Sequence, residues 1–162
     1  MIGILYHRLL AGLLVGAALL LGPVAACAIE TEAKQALIVD YETGSILYAK
    51  SADEPVHPAS MTKLMTLYIL FDQLKQGKLK LDDTYRVSQT AWARGENVES
   101  NMFLPLDSTV SIEDLIRGIA IQSGNDACKV VAEGIAGSEE AFATIMNKKA
   151  AELGLANSHF AN

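Results

Sequence analysis

The spacing of apolar residues changes several times along the chain, and each change marks an element. Leu9–Leu21 (LLAGLLVGAALLL) is an unbroken run of thirteen apolar or glycine positions. Gln35–Tyr41 (QALIVDY) and Ser45–Lys50 (SILYAK) are short β-prone runs on either side of Glu42-Thr43-Gly44. This predicts a hairpin with Gly44 taking the φ > 0 position of the turn. Ser51–Pro58 is polar and holds two prolines, which predicts a loop. From about Ala59 the period becomes helical: Leu64, Leu67, Tyr68, Phe71 and Leu74 recur on one stripe, and Gly77 follows as a stop. Met61, Met65, Ile69 and Leu70 widen that stripe, so the helix is expected to be buried on most sides.

Further on, Lys78–Lys80 reads as a connector, Thr84–Val87 as a short extended piece, and Ser88 as the cap of a brief helix holding Trp92. Gly95–Pro105 shows no period and is expected to be a long loop. Ser111-x-x-Asp114 is a capping-box variant, with Val110 and Leu115 placed as a hydrophobic staple, and its helix runs to Ile121 or Gln122. Ser123-Gly124-Asn125 then interrupts, with Gly124 suited to end one helix and Asn125 to cap the next. That helix reaches Glu133 or Ile135. Ser138 caps a last one, Glu139–Leu153, closed by Gly154. Two strands, a core helix and a mostly helical stretch make an α/β chain of the α+β kind.

Composition changes this picture chiefly at the front. The apolar run follows the lone cation Arg8 and precedes Gly22-Pro23, and Ala26-Cys27-Ala28 supplies a small-residue cleavage site. Residues 1–28 are therefore expected to be a secretory signal peptide, with the mature domain at 29–162. Two rivals stay open: a retained anchor helix, since no charge falls between Leu9 and Ile29, or a lipoprotein box, Val24-Ala25-Ala26-Cys27, that leaves Cys27 acylated. All three export the domain, to the periplasm or the outer face of the cytoplasmic membrane. Without Arg8, the 13 basic residues become 12 against 19 acidic ones, a formal charge of −7. That balance, with no basic cluster, excludes nucleic acid as the expected partner. Cys128 is then the remaining cysteine, so no intrachain disulfide is expected, and its expected role is that of a small buried apolar residue.

Candidate chemistry rests on two short patterns. Ser60 is the one serine with a lysine three positions on, Lys63. A serine hydroxyl attacks an acyl group only when an adjacent base takes its proton. Lysine can do so where burial and positive potential disfavour its ammonium form. A helix N-terminus supplies part of that potential, about half an elementary charge, and free N–H groups for a developing oxyanion. Placed in the first turn of a core helix, S-x-x-K is thus a workable acylation device; in an exposed helix it is chance. Ser123-x-Asn125 is the one S-x-N of the chain and falls on a helix break. There Ser123 could relay a proton near Lys63 while Asn125 offers a donor and an acceptor to an amide substrate. The plain alternative is helix punctuation.

Pro58-Ala59-Ser60-Met61-Thr62-Lys63-Leu64-Met65-Thr66, the Ser123-Gly124-Asn125-Asp126-Ala127 loop and the Ala-Leu-Ile-Val-Asp hairpin together resemble the low-molecular-mass penicillin-binding proteins, and among them the exported serine D-alanyl-D-alanine carboxypeptidases of the S11 type. The resemblance runs from about residue 33 onward. It implies a β-lactamase/transpeptidase-like fold, an antiparallel sheet with a helical subdomain, and no cofactor or metal. It also implies roles. Ser60 would attack the penultimate D-Ala carbonyl of a peptidoglycan stem peptide and carry the acyl group, with Lys63 as general base. Ser123 would relay the proton, Asn125 would bind substrate, and β-lactams would be trapped at Ser60. One element of the pattern is absent: no lysine here is followed by Thr-Gly, the family's K-T-G strand. The chain is therefore expected to be the N-terminal part of a catalytic domain, inactive and poorly folded alone, with an unpaired sheet edge. Further membrane attachment would come from Cys27 or a C-terminal anchor.

Other functions compete. A class A β-lactamase needs a glutamate for deacylation, yet about three dozen residues past Ser123 the chain reads Asn157-Ser158-His159-Phe160, which favours the carboxypeptidase. A D,D-endopeptidase shares the motifs, and a non-catalytic peptidoglycan-binding protein could keep the fold. His57 and His159 make no metal spacing and there is no H-E-x-x-H, so zinc is not expected; a G-x-S-x-G elbow is also lacking. His57 reads as a loop residue, Trp92 and Phe103 as core or cleft lining, and Asp126 and Glu113 as acids that suit helix dipoles, with no catalytic role.

Overall fold

The computed structural model describes residues 29–92 and 100–161. The expected leader, with Cys27, and the front of the Gly95–Pro105 loop lie outside the described residues. The chain divides into two compact units, residues 1–56 and 57–162.

The first unit holds the hairpin. β1 (Ala36–Val39) pairs antiparallel with β2 (Ile46–Lys50), in the register Ala36↔Lys50, Leu37↔Ala49 and Ile38↔Tyr48. The turn is built by its own side chains: Asp40 Oδ1 accepts the Thr43 N–H at 2.7 Å, and Gly44 takes the left-handed φ of 70° that the sequence required. Leu37, Ile38, Val39, Ile46 and Leu47 are all exposed, so both faces of this ribbon are apolar, the composition of strands in doubly covered sheets.

The second unit begins with a 3-10 turn, Ala59–Thr62, that leads into α1 (Lys63–Lys75). β3 (Thr84–Arg86), α2 (Gln89–Trp92), β4 (Thr109–Ser111), α3 (Ile112–Gln122), α4 (Asn125–Ala136) and α5 (Glu139–Glu152) follow. The extended piece expected at Thr84–Val87 is β3, and it pairs with β4, a partner that sequence spacing did not suggest. Ser88 Oγ accepts the Ala91 N–H at 3.0 Å, and Ser111 Oγ accepts the Asp114 N–H at 3.1 Å while donating to Asp114 Oδ2 at 2.8 Å. Ser138 caps α5 in the same way through the Ala141 N–H, and Gly137, at φ 83°, ends α4.

The core of this unit is one cluster in which α4 touches α1, α2, α3, α5 and β3. Leu70, Val87, Ile112, Leu115, Val130, Val131 and Met146 are fully buried there. Burial of each such side chain stabilises the fold by about 1.5–3 kcal/mol. Close approach is set by glycine where bulk would interfere: a Cβ at Gly134 would stand 2.3 Å from the Tyr85 ring. Three expectations are corrected. α1 is buried on one face only, through Met65, Thr66, Ile69 and Leu70, while Met61, Leu64, Tyr68 and Phe71 form an exposed apolar stripe. Its wide apolar surface thus exceeds what the second unit covers. Of the two readings of Trp92 and Phe103, core or cleft lining, the core one fails: both side chains are exposed, with α2 ending at Trp92 and Phe103 at φ 61°. Cys128 is half-buried at the edge of the cluster.

Candidate active site

Ser60 sits inside the 3-10 turn, one step ahead of the α-helix in which the sequence had placed it. Ala59 enters that turn at φ 48°, and the Lys63 N–H closes it onto the Ser60 carbonyl. In 3-10 winding the side chains at i and i+3 eclipse. Lys63 Nζ accordingly lies 3.3 Å from Ser60 Oγ and donates to it. The residue order alone could not distinguish this winding from α, in which i and i+3 also share a face.

The second pattern is held at the α3–α4 break, with a shift of roles. Ser123, not Gly124, takes the left-handed conformation (φ 56°) that ends α3; Gly124 is extended and Asn125 is the first residue of α4. A non-glycine residue in that region stores roughly 1–3 kcal/mol of strain, which points to a constrained, functional turn. Ser123 Oγ is buried and has no hydrogen-bond partner among the described residues. Such an unmet hydroxyl is costly and calls for a reason.

A cavity of about 480 Å³ brings the two patterns together. Ser60, Lys63 and Asn125 line it; Ser123 does not, its hydroxyl being buried in the turn. Lys129, Glu139 and His159 also face this cavity, and sequence spacing singled out neither Lys129 nor Glu139. Glu139 is the first residue of α5, so helix packing, not distance along the chain, puts an acid on this wall. His57 lines it as a loop residue. Phe160 completes the rim, tied to α5 by Asn147, whose Nδ2 donates to the Phe160 carbonyl at 2.7 Å and whose Oδ1 accepts the Phe160 N–H at 2.9 Å. Cys128 lines the cavity too. Burial pushes its thiol up to about 11, against the opposing pull of the Lys63 ammonium. Asp126, read from sequence as a dipole-matched acid, is buried and accepts backbone N–H groups of Met102 and Leu104 at 2.8 and 3.0 Å. Among the described residues, no three His, Cys, Asp or Glu side chains are grouped to hold a metal ion.

A serine and an amine in contact on a turn before a helix, with Asn125 of the S-x-N turn on the wall of the same cavity, sit on a penicillin-binding, transpeptidase-type fold. Solved structures agree. The D-alanyl-D-alanine carboxypeptidase DacD from Francisella tularensis superposes with a TM-score of 0.78 at 39 % identity, over 83 % of this chain and 32 % of that one. Penicillin binding protein 5 from Haemophilus influenzae gives 0.77 at 40 % identity, over 82 % and 39 %. Residues 23–162 match the S11 peptidase family, described as D-alanyl-D-alanine carboxypeptidase, and the chain belongs to that family. It is 45 % identical over 131 residues to the D-alanyl-D-alanine carboxypeptidase DacF of Bacillus subtilis, covering 81 % of this chain and 33 % of DacF. The chain thus spans about a third of the length of such relatives.

Proposed function

We propose that the chain forms the acylating portion of a serine D-Ala-D-Ala carboxypeptidase that removes the terminal D-Ala from peptidoglycan stem peptides during cell-wall biogenesis. The observation that carries this reading is the 3.3 Å contact between Lys63 Nζ and Ser60 Oγ at the cavity shared with Asn125. With the amine neutral, the same contact passes the hydroxyl proton to Nζ as Oγ bonds to the penultimate D-Ala carbonyl carbon. The C–N bond to the terminal D-Ala then breaks, and that amine leaves with a proton returned through Lys63 and Ser123. Water afterwards hydrolyses the ester on Ser60. Asn125, beside the pair, is suited to hold the substrate amide by accepting its N–H and donating to its carbonyl. A β-lactam presents an acyl carbon to the same oxygen, so penicillins acylate Ser60.

The leader pattern over residues 1–28 supports export to the periplasm or the outer face of the cytoplasmic membrane, with attachment through Cys27 if that residue is acylated. The test is incubation of the protein, expressed from its full reading frame, with a fluorescent penicillin, followed by peptide mapping. One label per chain on the peptide holding Ser60, lost in Ser60→Ala, together with D-Ala release from a stem pentapeptide, is the expected result. Cleavage of crosslinked dimers without D-Ala release would identify an endopeptidase, rapid loss of the label a β-lactamase, and binding unaffected by Ser60→Ala a non-catalytic protein.

A further inference from the structure

The turn carrying Ser123 and Asn125 is fastened from below by one carboxylate. Asp126 is 6 % exposed. Its Oδ1 accepts the N–H groups of Met102 at 2.8 Å and Ala127 at 2.9 Å, and its Oδ2 accepts that of Leu104 at 3.0 Å. The Asp126 N–H donates in return to Asn101 Oδ1 at 3.3 Å, and the Asn125 N–H donates to the Ser100 carbonyl at 2.8 Å. Met102 also packs on the turn, since a Cβ at Gly124 would meet Met102 Cγ at 3.0 Å. Residues 100–104 are not in a strand, so the carboxylate supplies the acceptors that a neighbouring strand would otherwise provide.

We propose that Asp126 is a positioning residue for acyl transfer: by holding segment 100–104 against the S-x-N turn, it keeps Asn125 on the cavity wall that it shares with Ser60 and Lys63. This rests on the acyl-transfer reading above. Helix-dipole complementarity explains an acid in the first turn of α4, but it does not call for two donors from a segment 22 and 24 residues away. Three N–H donors converge on two oxygens, and an ionised carboxylate is the side chain that accepts at both. Asparagine has the same shape and one oxygen. Whichever way it is turned, its amide nitrogen faces a backbone N–H, and the segment must move away. The strained φ of Ser123 and its unmet hydroxyl are states that persist only where surrounding contacts over-determine them.

The experiment measures the second-order rate of penicillin acylation for the protein from its full reading frame, for Asp126→Asn, for Asn125→Ala and for the double variant, each confirmed folded by circular dichroism at the assay temperature. Asp126→Asn should acylate about 10- to 100-fold more slowly, the effect of a displacement of order 1 Å at a reacting group. In the Asn125→Ala background the same substitution should cost little, because Asp126 acts through that turn. An equal loss in both backgrounds, or an unchanged rate with a lowered Tm, overturns the proposal. Should Asp126→Asn fail to fold, Asn101→Ala removes the acceptor of the Asp126 N–H while leaving the Asp126 carboxylate in place. A drop of about two- to tenfold that vanishes with Asn125→Ala supports the proposal, and an unchanged rate overturns it. A wild-type protein that takes no label at all refutes the acyl-transfer reading instead, and this inference with it.

Discussion

Gly134→Ala tests whether the packing behind the S-x-N turn is as tight as the geometry requires. Gly134 lies in α4, and its missing Cβ would stand 2.3, 2.5 and 2.5 Å from Cδ2, Cε2 and Cγ of Tyr85. Carbon atoms in good contact sit about 3.5–4.0 Å apart. The ring would have to retreat by over 1 Å, and β3, which carries it, is anchored to β4. Forcing extra bulk into such a site costs about 1–3 kcal/mol. Three ring atoms are struck at once, so the upper end applies. Alanine in a helix interior regains about 1 kcal/mol over glycine. The net is a destabilisation of about 2 kcal/mol, or about 4–8 °C in Tm for a protein of this size. Thermal unfolding followed at 222 nm measures it. The decisive arm is the Tyr85→Ala background, where the ring is gone and Gly134→Ala should stabilise by about 1 kcal/mol. A raised Tm in the parent protein, or the same loss with and without the ring, would refute the packing argument.

Four further outcomes are expected. Ser123→Ala removes a buried hydroxyl without a partner, so it should leave stability unchanged or raise it by up to about 1 kcal/mol while slowing acylation, read by denaturant melts and penicillin labelling together. Asn147→Leu strips both bonds that hold Phe160 and should cost about 1–3 kcal/mol, with weaker non-covalent penicillin binding as the cavity rim loosens. The Cys128 thiol, pushed up to about 11 from 9.0, should react with iodoacetamide at pH 8 roughly a hundredfold more slowly than an ordinary cysteine in a stopped-flow assay. Asp72 is held below its ordinary value by the Gln76 side chain and then by Lys149, to which it is bonded at 3.2 Å. Its contribution is therefore present above the unfolded value near 3.8 and lost as pH falls through the lower folded value, so Asp72→Asn should flatten the acid limb of a Tm-versus-pH curve.

Much of this was legible in the letters. The hairpin followed from two β-prone runs about a Gly44 turn, and the caps at Ser88, Ser111 and Ser138 from their spacing to the next apolar stretch. Ser60, Lys63 and Asn125 were nameable because residue type and interval alone define those patterns. What stayed hidden depends on partners distant in sequence or on local winding. No pattern marks Tyr85 as the neighbour of Gly134, or Met102 and Leu104 as donors to Asp126, since those contacts exist only after the chain has folded back. The left-handed residue at the helix break falls on Ser123 although glycine, the intrinsically easier choice, is next to it. Glu139 reaches the cavity through the packing of α5, which no interval along the chain encodes. The apolar stripe of Met61, Leu64, Tyr68 and Phe71 reads as core by composition and is open in the second unit, which shows that hydrophobicity sets a demand for cover without naming what supplies it.

The tight coil at Ala59–Thr62 makes interval and pitch a single specification. At three residues per revolution the hydroxyl and the amine stand one above the other; at 3.6 they would be offset by about 60° around the axis. Relaxing that coil to ordinary helical pitch would swing the amine around the axis without altering either residue, and because i, i+3 neighbours still share a face of an α-helix, the coil sets the direction of approach rather than whether the pair can meet. Whatever stabilises the coil therefore tunes the line along which hydroxyl and amine meet, while the two side chains supply the groups that meet.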